Sequence, residues 1–320
     1  MPVFTLKPLP PFRLDLTVWV LRRLPINGMD RWDGTTYRRV LVLGDGGAPV
    51  EVAVVQRGSA RAPQVTVTTK GPRLSRATRE ALISTLDTML GLNIDLHAFN
   101  HLTESDPRNT RLASLIDPFM GFKPPRLPAV FEALVNGIAC QQLSLQVGIH
   151  LLNRLSRAYG QSVCEHYAFP RPVDLASAAP SHLGKLGFSD RKSKVILATA
   201  QAVLEGNLDL EGLSKLDTAA AQHRLVALKG IGRWTAQYIL LRGLGRLDVF
   251  PADDVGSQNK MQHWLRRKQR PDYDQMHRIL APWRPYRGLI YFYLLLNHQS
   301  RMGLHDSAPT PPGRVKTRRT

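Results

Sequence analysis

Cysteine is scarce in this chain, acidic residues are outnumbered by basic ones, and long apolar runs are missing. Cys140 and Cys164 are the only cysteines among 320 residues. Two thiols cannot complete the four-thiolate set of an iron–sulfur cluster, and with no CxxC pair they offer no zinc-ribbon spacing. No stretch reaches the roughly 18–20 apolar residues of a membrane span, and Met1-Pro2-Val3-Phe4-Thr5 lacks the apolar core of a signal peptide. The expectation is a reduced, cytoplasmic chain with no metal at its chemical centre and no membrane partner. Asp and Glu number 25 against 43 Lys and Arg, a formal net charge of +18. A globular chain with that surplus is expected to meet polyanions, nucleic acid first. A basic surface without a partner is the plain alternative.

What is present divides along the chain. At 43% hydrophobic residues the sequence can bury a core, and its length suits two domains. Residues 12 to about 70 read as strands: Leu14 to Val20 alternates in part, and Tyr37 to Leu43, Val50 to Gln56 and Gln64 to Thr69 are short and β-branched, separated by turns such as Gly44-Asp45-Gly46-Gly47. Ser75 to Leu90 has helical spacing through Leu82, Leu86 and Leu90. Pro107, Pro118, Pro124, Pro125 and Pro128 suggest an irregular connector. From Ala129 strand signals nearly vanish, and helices are expected over 129–140, 144–159, 174–178, 181–186, 190–206, 217–227, 233–243, 254–267, 273–281 and 285–298. The fold class is therefore an α+β N-terminal domain, an antiparallel sheet with a helix (1–104), then a connector (105–128) and an all-α region of two subdomains flanking a cleft (129–304). A basic tail (305–320), rich in proline and carrying the run Arg314-Val315-Lys316-Thr317-Arg318-Arg319, is expected to be disordered.

The chemistry concentrates in Leu228-Lys229-Gly230-Ile231-Gly232-Arg233-Trp234-Thr235-Ala236 and in Phe250-Pro251-Ala252-Asp253-Asp254. Gly230 and Gly232 permit a tight turn and a close backbone approach. The helix that starts near Arg233 would aim unpaired amides and its positive end at a phosphate, with Lys229 and Arg233 adding charge and Thr235 a hydroxyl. Ile231 would plug the core and hold the turn. An ordinary helix–helix connection explains the glycines equally well. Asp253 and Asp254 open the next helix, where aspartate is a preferred cap. Trp234 and Tyr238, four apart, share a helix face, as packing aromatics commonly do. Gln141-Gln142-Leu143-Ser144 joins two helices, with Ser144 suited to capping. His150, His182, His263 and His298 have no metal-ligand spacing.

Taken together these segments resemble the helix–hairpin–helix (HhH-GPD) DNA glycosylase superfamily, in its alkylpurine branch of the 3-methyladenine DNA glycosylase II type. The likeness extends to the β-rich N-terminal part, Phe188-Ser189 before Arg191-Lys192, and Trp283-Arg284-Pro285-Tyr286. It implies that Lys229, Gly230, Ile231, Gly232, Arg233 and Thr235 bind DNA, that Asp254 is the catalytic carboxylate with Asp253 as cap or support, and that Gln142, with Leu143 as the alternative, is the wedge filling the stack of a flipped nucleotide. Trp234 and Tyr238 would form an electron-rich wall for a cationic base, with Phe292 and Tyr291 as further candidates. A carboxylate near C1′ would stabilise oxocarbenium charge. Bifunctional relatives carry a nucleophilic lysine where this chain has Trp234, so hydrolysis without lysine-dependent strand cleavage is expected. Two departures bear on substrate range: Phe292 stands near a position that often carries tryptophan, and Val255 replaces a common tyrosine.

The expected activity is excision of 3-methyladenine- or 7-methylguanine-type bases from double-stranded DNA by a cytoplasmic, nucleoid-associated monomer. No cofactor is expected, and a monovalent cation in the hairpin is left open. The alternatives are a glycosylase for oxidised or deaminated bases and a DNA-binding protein that has lost catalysis. An RNA-binding role stands further off, without an RNP-like strand motif.

Overall fold

The structure is a computed structural model that describes residues 3–44, 47–104 and 110–303. The expected disordered tail, and the middle of the Gly44–Gly47 turn, lie outside the described residues.

The N-terminal part is built on a five-stranded antiparallel sheet of β1 (Val3–Leu6), β2 (Arg31–Trp32), β3 (Thr36–Val42), β4 (Pro49–Arg57) and β5 (Gln64–Lys70), in the order β1-β5-β4-β3-β2. Its register pairs Tyr37 with Val54 and Val54 with Val67. That sets the buried residues Val50, Val52 and Val54 of β4, and Val65 and Val67 of β5, on one face, as a period of two requires. Against this face lie α1 (Leu14–Arg22) and α2 (Arg76–Leu90), the latter capped by Ser75 and burying Leu82, Leu86, Met89 and Leu90. The α1 segment was expected as a strand and is a helix. Leu14, Val18 and Leu21 face the sheet, whereas Leu16 and Val20 face the C-terminal helices. A helix buried on two sides loses its amphipathic stripe, and its β-branched residues then mimic alternation. The edge strand β1 gave too short a signal to be expected.

The proline-rich stretch is also more regular than expected. After α3 (His97–Glu104) come α4 (Thr110–Ile116) and a 3-10 turn over Asp117–Phe119, with Pro118 in the first turn, where proline is tolerated. Leu112, Leu115, Ile116, Phe119 and Phe122 are buried against the C-terminal helices, so this segment is part of a core. Beyond it run α5 (Val130–Cys140), α6 (Leu145–Tyr159), a small hairpin of β6 (Ser162–Val163) and β7 (His166–Tyr167), α7 (Pro180–Lys185), α8 (Asp190–Leu204), α9 (Thr218–Val226), α10 (Arg233–Arg242), α11 (Val255–Trp264), α12 (Tyr273–Leu280) and α13 (Arg287–Arg301). The helix expected over 174–178 is a 3-10 turn at Pro172–Leu175.

Two helical cores result. One joins α5, α6, α8, α9 and α10 around Leu134, Ile138, Leu152, Ile196, Leu225 and Ile239. The other joins α3, α4 and α11–α13 around Met261, Met276, Leu289 and Phe292. Each buried Leu or Ile contributes about 1.5–3 kcal/mol. The helix α10 belongs to both, through Ile239 and Leu241, so the site on it sits at their junction. The sheet is fastened to the helices by charge: Arg39 of β3 bonds Asp30 at 2.7 Å and both carboxylate oxygens of Glu132 on α5 at 2.6 Å. All three side chains are buried.

Candidate active site and DNA-facing turns

The turn between α9 and α10 requires glycine at one position. Gly230 has φ +85°, and a Cβ there would lie 2.6 Å from Val195 Cγ2 on α8. Ile231 is buried in the core and its N–H is taken by the Leu228 carbonyl, so it supports the turn from inside and its side chain does not reach a phosphate. Lys229 and Gly232 are exposed. Gly232 is the N-cap of α10 and supplies no side-chain cap, which leaves the first amides of that helix available to an anion. Thr235, expected to offer a hydroxyl to DNA, is buried. Its Oγ1 accepts from Gln141 Nε2 at 2.9 Å.

That hydrogen bond joins the hairpin to the turn between α5 and α6. Gln141 Nε2 also donates to the Gly230 carbonyl at 3.1 Å, and Lys192 Nζ on α8 donates to the carbonyls of Ala139 at 3.0 Å and Gln141 at 2.8 Å. Burial pushes the Lys192 ammonium below its ordinary value. The next residue, Gln142, has φ +55° and is exposed, a conformation that non-glycine residues seldom adopt. Leu143 beside it is 43% exposed, and Ser144 caps α6 through the Val147 N–H. Both expected wedge residues therefore stand outward on a turn whose base is clamped.

Asp253 and Asp254 have separate roles. Asp253 forms a two-pronged ion pair with Arg233, at 2.6 and 2.9 Å, and the Arg233 guanidinium lies 3.7 Å from the Tyr273 ring centre. Arg233 is thus already engaged within the protein. The cap of α11 is Asp254: its Oδ1 accepts from the Ser257 N–H at 3.2 Å, and its Oδ2 accepts from the Tyr291 hydroxyl at 3.3 Å. One donor on each oxygen fixes the plane of the carboxylate while leaving lone pairs on both, and the helix N-terminus favours its negative charge. Burial, then the charge of Asp254, holds the Tyr291 phenol well above its ordinary pKa, so it remains a donor. Lys260, one turn into α11, feels the same charge, though burial lowers its pKa; its Nζ bonds the Gly256 carbonyl at 3.2 Å.

Trp234 and Tyr238 have ring centres 5.7 Å apart, tilted by 30°. Rings that close are in contact, so they make a continuous wall, not a slot. Trp234 is half-buried, whereas Tyr238 is nearly covered. Close packing of α5 on α10 sets the position of Tyr238: a Cβ on Gly137 would fall 2.8 Å from Thr235 Cγ2 and 3.5 Å from Tyr238 Cδ1. Behind it, Arg23 at the end of α1 reaches Tyr238 Oη at 3.3 Å and Asn136 Oδ1 at 2.6 Å. Phe292 does not belong to the pocket. It is fully buried, packed on Phe122 with ring centres 5.9 Å apart. Its neighbour Tyr291 faces Asp254 instead, because α13 turns 289, 290, 292, 293 and 296 to the core. No group of three or more His, Cys, Asp or Glu suited to a metal occurs among the described residues.

Sequence reasoning missed Arg23, Gln141, Lys192 and Lys260 as parts of this arrangement and ranked Tyr291 low. For Tyr291 a signal existed in the helical phase of α13. For Arg23, more than 200 residues from Tyr238, there was none.

Known proteins match the chain in sequence and in fold. Residues 135–285, just under half of the chain and spanning the Gln141–Ser144 turn, the hairpin and Asp254, match the HhH-GPD superfamily base excision DNA repair protein. The chain is 29% identical over 220 residues to a DNA-3-methyladenine glycosylase of Bacillus subtilis, covering 68% of this chain and 72% of that protein. It is 31% identical to DNA-3-methyladenine glycosylase 2 of Escherichia coli, over 54% of this chain and 60% of that one. The solved 3-methyladenine DNA glycosylase of Archaeoglobus fulgidus superposes with a TM-score of 0.78 at 26% identity, over 94% of this chain and 99% of that chain. The match over residues 135–285 and this superposition agree with the expected fold class of an α+β domain followed by helices.

Proposed function

We propose that this chain is a monofunctional DNA glycosylase that hydrolyses the N-glycosidic bond of alkylated purines in duplex DNA, acting as a cytoplasmic monomer. The observation that carries the proposal is a carboxylate, Asp254, held on both oxygens, whose donor Tyr291 also feels Tyr238 of the Trp234–Tyr238 wall electrostatically. The names of the relatives favour 3-methyladenine-type substrates over oxidised or deaminated bases. An intact carboxylate and aromatic wall speak against a role in binding alone.

The chemistry follows from charge. N3- or N7-alkylation makes the purine cationic before it leaves. As the C1′–N bond breaks, its electron pair passes to the base, which departs neutral, and positive charge develops on the sugar. Asp254 stabilises that charge. Water then bonds to C1′ and gives its proton to Asp254 and on to solvent. The base needs no strong general acid, because alkylation has already done that work. Trp234 stacks on the cationic base, the hairpin amides and Lys229 hold backbone phosphate, and Gln142 or Leu143 fills the vacated stack.

The test uses duplex DNA methylated at adenine N3 or guanine N7. Asp254→Asn should lower single-turnover base release by about 100- to 1,000-fold, the scale of a lost electrostatic contact to a transition state, with duplex binding retained. Undiminished release would remove Asp254 from the mechanism. Borohydride should trap no covalent protein–DNA complex, since Trp234 occupies the nucleophile's position and Lys260 is held by the Gly256 carbonyl. A trapped adduct would establish an amine-dependent route instead.

A further inference from the structure

Past the first turn of α11, the surface changes character. A cavity of about 950 Å³ opens between the C-terminal ends of α11 and α13 and the start of α4. It continues into a second, of about 490 Å³, that begins at Gly256 and Lys260; the two share Asn259, His263 and Arg301. Arg111, Arg266, Arg267 and Arg301 converge on the larger part, and His298 joins Lys260 on the smaller. Among the described residues no carboxylate lines either one. Some other surface arginines do have acidic partners: Arg13 with Asp15, Arg171 with Asp174 and Arg233 with Asp253.

Two helix C-termini meet here, and their negative ends favour a nearby cation by about 0.3–1 kcal/mol each. That suits Arg266, Arg267 and Arg301. It does not suit Arg111, which stands in the first turn of α4, where the helix end opposes a cation. Nor does it explain why the Arg301 guanidinium is set directly against the His263 imidazole. Basic groups from three helices thus crowd one groove that holds no acidic counter-charge among the described residues.

We propose that this groove is a second phosphate track, which takes the sugar–phosphate backbone of the duplex flanking the lesion as it leaves the candidate active site. The inference rests on the glycosylase reading above and extends it to the path of the DNA. The hairpin meets α11 at its start, through the Arg233–Asp253 pair, and the groove follows α11 away from that point. Ten residues of helix span about 15 Å, the axial length over which one strand presents roughly four phosphates at a rise of about 3.4 Å each. Asn259, Gln262 and Ser114 add neutral hydrogen-bonding groups to the lining. A free anion would need no groove of this length, open along its course.

The experiment compares the full chain with an Arg266→Ala/Arg267→Ala/Arg301→Ala variant. These exposed side chains lie outside the proposed chemistry, and thermal melting checks that the variant folds. Affinity for an approximately 30-base-pair lesion duplex is measured across potassium chloride concentrations. The slope of log affinity against log salt should fall by about 2–3, at roughly 0.9 per phosphate lost, while single-turnover excision at saturating enzyme stays within about twofold. Shortening the duplex on one flank should weaken the wild type to the level of the variant and leave the variant unchanged. An equal salt slope in both proteins overturns the track. So does an unchanged slope accompanied by stabilisation of the wild type alone by inorganic phosphate, which marks a free-anion site. Failure of the wild type to bind or process any lesion duplex would overturn the glycosylase reading itself.

Discussion

Arg39 and Arg242 are both fully buried, one where the sheet meets α5 and the other on α10 beneath the candidate site, and their surroundings are opposite. Arg39 faces two carboxylates, Asp30 and Glu132. Burial opposes its charge, yet those partners hold its pKa well above the ordinary value. Arg242 has none within bonding reach. One terminal nitrogen meets the Val20 carbonyl at 3.2 Å, the guanidinium lies 5.5 Å from the Phe292 ring centre, and Nε and Nη1 have no hydrogen-bond partner in the structure. Burial lowers its pKa, Tyr238 works the other way, and Arg23 lowers it further. Buried charge is costly unless matched. The joint between domains is matched; the ground under the pocket carries uncompensated positive charge. The first arrangement serves stability, and the second is retained at stability's expense, where activity is proposed to reside.

The largest effect should come from breaking the matched site. Glu132→Ala strands Arg39 in the interior and should cost about 3–5 kcal/mol in denaturant unfolding. Combining Arg39→Met with Glu132→Leu should recover most of that loss, and failure to recover it would show that shape, not charge matching, holds the joint. The smaller effect sharpens the other half. Arg242→Met should leave stability within about 1 kcal/mol of wild type, or raise it. The same variant should bind the lesion duplex somewhat more tightly yet release base several-fold more slowly. Positive charge beneath the pocket opposes a cationic base and is relieved when the base departs neutral, a ground-state effect that lowers both rate and dissociation constant when removed. Unchanged excision by Arg242→Met would reduce Arg242 to a packing residue.

The two regions also differ in how far the sequence disclosed them. The glycine hairpin, the acidic pair and the aromatic spacing are local signals, and each was legible within a dozen residues. So were the helix over Ser75–Leu90 and the β-branched strand β4. The strand expected over Leu14–Val20 failed because α1 is buried on two faces, a fact that belongs to the tertiary structure. Residues 110–122 read as a connector because proline density hides a two-turn helix whose leucines find partners on α13. The expected site lost Phe292 to the core by one helical position. It also turned Thr235 inward, because Gln141 claims its hydroxyl. Which of two adjacent aspartates caps α11, and which pairs with Arg233, is decided by an arginine twenty residues earlier in the chain, beyond what capping preference can rank.

The bonds from Gln141 to Gly230 and Thr235, and from Lys192 to Ala139 and Gln141, join two separate turns into one jaw. A loop that must order itself on contact gives up part of its binding energy in lost conformational freedom, about 0.5–1.5 kcal/mol for each side chain immobilised. Here the base of both turns is already held without DNA. A protein that visits long stretches of undamaged duplex for every lesion then meets the same low ordering cost at every site. Discrimination falls on the one step that differs between sites, the ease with which a base leaves its stack.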